Sequence, residues 1–118
     1  MVFNYPLSVN LFHIVLVVPV LLYLGWYGPA SAPQAYTAML ALGGLVLFYH
    51  IYKLWERRDS KNDYLKAINL FHIFFVAPLF LYVGWEGPNT PSAVYSLLLW
   101  LAPIVLIYHG YRAWQHRK

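Results

Sequence analysis

The 118-residue sequence contains no cysteine. Disulfides, thiolate metal sites and a cysteine nucleophile are thereby excluded. Charge is nearly as scarce. Charged residues make up 10% of the chain, against about 25% in an ordinary soluble domain. So few charges cannot cover the surface of a soluble protein of this size, and a membrane protein is the better reading. Among the acidic residues, Glu56, Asp59 and Asp63 lie in one charged stretch, where ion pairs with Arg57, Arg58 and Lys61 account for them. The chain has no paired carboxylates, no Gly-rich phosphate loop and no sensible Ser-His-Asp grouping. Soluble-type catalysis finds no support, and the chain reads as a non-enzyme. Residues 1–10 lack a basic n-region and no clean small-residue cleavage site follows, so the first apolar segment reads as a retained span.

Apolar residues are what the chain has in plenty: 61% are hydrophobic and 19% aromatic. They fall into four segments, 5–27, 35–56, 64–86 and 94–115. Each is long enough, at ~1.5 Å per helical residue, to cross a hydrocarbon core of ~30 Å. Asn4 and Asp63 precede the first and third segments and suit helix N-caps. Pro6 fits a first turn, where its missing N–H costs nothing. Gly28-Pro29 and Gly87-Pro88 end the first and third segments. The basic residues Lys53, Arg57, Arg58, Lys61, Lys66, Arg112, Arg117 and Lys118 all fall on one side of the spans. By the positive-inside rule both termini and the central linker face the cytoplasm. The net charge of +4 is therefore a topology signal and a contact with anionic lipid; no nucleic-acid partner is expected. Trp26, Trp55, Trp85 and Trp114 lie near span ends, where aromatic belts sit.

A shift of 59 residues aligns the sequence to itself without a gap, and 24 of the 59 paired positions are identical. Asn10-Leu11-Phe12-His13-Ile14 returns as Asn69-Leu70-Phe71-His72-Ile73, Pro19 as Pro78, and Tyr49-His50 as Tyr108-His109. The expected architecture is all-α. It is one membrane domain over 1–118, a four-transmembrane-helix bundle built from two tandem two-helix hairpin repeats, 1–59 and 60–118. Each repeat has an even number of spans, so a pseudo-two-fold axis along the membrane normal should relate them.

Four histidines survive the duplication: His13, His50, His72 and His109. Counted from the helix ends, each lies roughly 10 Å inside the cytoplasmic side, one per helix. On the first helix Asn10, His13 and Val17 share a face. His50 shares one with Gly43 and Tyr36, and His109 with Ala102 and Tyr95. Small residues on those faces permit close helix approach. The histidines should face inward as one layer, supported by Asn10, Asn69, Tyr49 and Tyr108. Pro19 and Pro78 should kink their helices beside it. His116, in the basic tail, is expected to be solvated.

The layer is expected to bind a transition metal, or one or two b-type hemes held by axial pairs, with two alternatives beside that reading. The likeness to four-helix membrane cytochromes of the b type ends at paired intramembrane histidines; no spacing signature of that family is present. It could be a structural hydrogen-bond network in a scaffold or accessory subunit, with other membrane subunits or self-association to follow. Or it could be part of a proton or ion channel. Against the last, the far halves of the spans carry no ionisable group beyond tyrosines until Glu86 at a loop.

Overall fold

The computed structural model describes residues 4–117. Among them every regular element is helical. The first span comprises α1 (Tyr5–Phe12), a π-helical turn (His13–Val17), α2 (Val18–Tyr27) and a 3-10 turn (Gly28–Ala30). The second is α3 (Pro33–Glu56). The third repeats the first: α4 (Asp63–Phe71), a π-helical turn (His72–Val76), α5 (Ala77–Glu86) and a 3-10 turn (Gly87–Asn89). The fourth is α6 (Ser92–Gln115). All four are long and apolar enough to cross a membrane, close to the boundaries the sequence suggests.

Local chemistry explains the ends. The Asn4 side chain accepts from the Leu7 N–H and caps α1. The third span is capped by Asn62, which accepts from Leu65 N–H, and not by Asp63, its first helical residue. Asn62 lies one residue before the position equivalent to Asn4. Gly28 and Gly87 close the first and third spans at a φ of +57°, a conformation other residues rarely adopt.

The prolines widen the helices through π-helical turns. In each span the turn begins at the histidine, and the N–H of the residue after it (Val18, Ala77) bonds to the carbonyl five back, at His13 or His72. Pro19 and Pro78 have no N–H to give, and a proline ring clashes with the carbonyl four residues earlier. A turn with one extra residue relieves that conflict. Such turns recur at functional sites.

The helices form two compact units. One joins the first span to the fourth (residues up to Ser31 and from Pro88 onward), and the other joins the second to the third (Ala32–Gly87). Each compact pair thus takes one helix from each sequence repeat. Both pairs are antiparallel. Gly25 meets Leu99 while Asn4 bonds to His116, and Gly84 meets Leu40 while Asn69 bonds to His50. Glycine sets the approach. A Cβ on Gly25 would lie 2.8 Å from the Leu99 backbone nitrogen, and one on Gly84 would lie 2.8 Å from that of Leu40. These are equivalent positions in the repeat, so the two units are packed alike inside.

Candidate functional site

Each unit builds one histidine pair. In the first–fourth unit, the rings of His13 and His109 stack with centroids 4.0 Å apart and planes 10° from parallel. In the second–third unit, His50 and His72 stack at 4.1 Å and 13°. The four expected site histidines are therefore brought together two and two.

The bonds to these rings define their protonation. His13 Nδ1 lies 2.7 Å from the Val9 carbonyl, and His72 Nδ1 lies 2.7 Å from that of Ile68. A carbonyl only accepts, so both nitrogens carry hydrogen. His109 Nδ1 is 2.8 Å from Asn10 Oδ1, and His50 Nδ1 is 2.8 Å from Asn69 Oδ1. Asn10 Nδ2 donates to the Pro6 carbonyl at 2.7 Å. That bond fixes which way the Asn10 amide points, so the oxygen faces His109 and His109 must donate from Nδ1. In all four rings, then, the neutral form keeps its lone pair on Nε2.

The supporting residues fall into place around the pairs. Asn10 and Asn69 are buried, Asn69 completely. Tyr49 and Tyr108 set their rings edge-on to His50 and His109 at 5.0 Å. Tyr36, Gly43 and His50 are buried along one face of α3, and Tyr95 and Ala102 along α6, as the spacing suggests. The sequence reading missed Phe12 and Phe71, which stand edge-on to His13 and His72 at 5.8 and 5.7 Å. It also gave no packing role to Gly25 and Gly84, although their match across the repeat was the available signal. His116 departs from expectation: its Nε2 is buried with no hydrogen-bond partner among the described residues, and Asn4 Nδ2 donates to its carbonyl at 2.7 Å.

The two asparagines differ in one respect. Asn69 Nδ2 is buried without a partner among the described residues, where Asn10 Nδ2 has Pro6. Asn10→Leu removes two made bonds, whereas Asn69→Leu removes one and also an unpaired donor. An unpaired buried donor costs about 1–3 kcal/mol. Asn10→Leu should therefore destabilise the purified protein more than Asn69→Leu, by about 1 kcal/mol, in denaturant titrations of each variant. Equal losses would contradict the assignment of these bonds.

The geometry bears on ligand chemistry. Imidazole lone pairs lie in the ring plane, and a tetrahedral metal takes nitrogen at about 2.0–2.1 Å. Two nearly parallel planes stacked about 4 Å apart do not converge on one ion at that distance. Nor does a heme fit between rings that touch face to face. Among the described residues no three His, Asp or Glu side chains form a group able to hold a metal ion. Neither pair is thus a preformed chelate or axial couple. No family model, curated protein or solved structure matches the chain.

Proposed function

We propose that this is a polytopic membrane scaffold or accessory subunit, without catalytic activity of its own, in which the His–Asn clusters fasten helices together. The observation that carries the reading is the interhelical bond from His109 to Asn10 and its counterpart from His50 to Asn69. Each lies beneath a stacked histidine pair, and each links helices from different repeats. Polar bonds between membrane helices contribute about 0.6–2 kcal/mol each. Two such clusters would keep the pairs in register while leaving the outer faces for lipid or other subunits. Those faces are broadly apolar, with Val15, Phe48, Phe74 and Trp100 exposed. In this reading both termini and the basic linker lie on the cytoplasmic side, against anionic lipid. The bundle repeats about a pseudo-two-fold axis along the membrane normal.

One observation favours a second reading, transition-metal or heme binding. Ligand histidines usually donate one ring N–H to a carbonyl or carboxylate, which turns the other nitrogen toward the metal. All four rings here donate from Nδ1 to an oxygen. For a ligand to enter, the stacked rings would have to part.

An absorbance spectrum and elemental analysis of the detergent-purified protein separate the two readings. The scaffold reading expects a colourless, metal-free, folded protein whose His50→Phe/His109→Phe variant loses stability or assembly only. A Soret band, or stoichiometric metal that vanishes in that variant, would overturn it in favour of the cofactor reading.

A further inference from the structure

We propose that each stacked histidine pair is a proton-binding site that accepts one proton and resists a second. All four Nδ1 atoms already carry hydrogen and give it to oxygen acceptors. A proton arriving from acid must therefore bind at Nε2, which turns that ring into an imidazolium. One imidazolium against one neutral imidazole at 4.0 Å is an ordinary stacked contact. Two would place like charges in face-to-face rings.

The charges nearest each pair along the sequence do not offset that repulsion. The first–fourth unit contains no Asp or Glu anywhere in its sequence. The rings of Phe12 and Tyr108 flank its pair, and the nearest charge along α6 is the cation Arg112, one turn beyond His109. In the second–third unit Phe71 and Tyr49 flank the pair, and Lys53 stands one turn beyond His50, already paired with Glu56 at 2.8 Å. On α4 Lys66 lies nearer in sequence to His72 than Asp63 does. Each pair thus has a fixed cation one turn away and no carboxylate that close in sequence.

Two coupled sites titrate as a pair with two macroscopic steps. At ~4 Å and an effective dielectric constant of about 20, like charges separate those steps by at least about 2 pH units. The second proton enters only as the rings part, so strong acid should loosen the helix pairs. Proton uptake rests on the same pairing as the scaffold reading, but the two can fail separately.

The test is ¹⁵N NMR of the whole protein with labelled histidine, in lipid bicelles, from pH 8 to pH 4. His116→Gln serves to assign the fifth ring. The expected result is four rings in the Nδ1–H tautomer at pH 8, and one of every two rings protonated well before the other. The His13→Phe variant keeps an aromatic ring against His109 and should collapse that pair to one simple step, leaving the His50–His72 pair in two. If the four rings titrate together in a single step near the ordinary value of about 6.5, the proton site is wrong and the scaffold reading survives. Rings in the Nε2–H tautomer at pH 8 would overturn the hydrogen-bond assignment beneath both.

Discussion

Gly25→Ala and Gly84→Ala are expected to be the most damaging conservative changes in the chain. A methyl at Gly25 would lie 2.8–2.9 Å from the Leu99 backbone nitrogen and Cα, and one at Gly84 would meet the Leu40 nitrogen at 2.8 Å. A flexible side chain can swing away from such a contact, but a helix backbone cannot. The helices must move apart, and everything packed along them loses contact. Overpacking of this kind costs about 1–3 kcal/mol per site. The two sites share no partner, so the double variant should lose roughly the sum. Gly44 and Gly110 supply the control, because a Cβ at either meets nothing within 4 Å. Alanine there should be neutral or stabilising by up to about 1 kcal/mol, since glycine is the poorer helix former. Denaturant unfolding in mixed micelles reads all four variants. Equal effects at Gly25 and Gly44 would mean that the close approach is absent.

His50→Leu should be nearly as damaging, and it should be partly repaired by a second substitution. Asn69 is fully buried, and its amide hydrogen atoms already lack a partner among the described residues. Removing His50 takes away the bond that its ring gives to the Asn69 oxygen. Both polar ends of the amide would then be stranded in an apolar interior, at about 1–3 kcal/mol for each unpaired group. In His50→Leu/Asn69→Leu the stranded amide is gone, and leucine fills similar space. The double variant should therefore be more stable than His50→Leu alone. A double variant that is worse by the sum of both changes would show that the two side chains do not interact. His109→Leu with Asn10→Leu should be repaired less, because Asn10 also loses its bond to Pro6.

The scarcity of charge and the four apolar runs made the four spans legible, because length and hydropathy suffice to mark a membrane helix. The histidines were legible as candidates because four of them recur at matched positions. Their faces were legible too, from the helical period: Tyr36, Gly43 and His50 line up as buried residues. The pairing of the first span with the fourth and of the second with the third was not. Packing between helices far apart in the sequence is decided by complementary surfaces. Gly25 against Leu99 and Gly84 against Leu40 show their fit only in three dimensions. The π-helical turns were hidden for a related reason. A proline signals a broken bond, and whether the helix bends or takes in an extra residue depends on what lies beside it. The tautomers needed the positions of Val9, Pro6 and Ile68 carbonyls, which no sequence pattern displays.

The pairing of helices across the repeats is the account's central claim, and a disulfide tests it directly in a chain with no cysteine of its own. A Cβ on Gly43 lies 2.8 Å from Leu81 Cγ and 3.1 Å from its nitrogen, close enough for Gly43→Cys/Leu81→Cys to form a bond with a Cβ–Cβ distance of about 3.5–4.5 Å. Trypsin cleaves between these positions, at Arg57, Arg58 and Lys61. After oxidation and digestion the two fragments should stay joined at the size of one chain and separate on reduction. Fragments that separate without reductant would show that the second and third helices do not pack together, and the histidine pairs would fall with that contact.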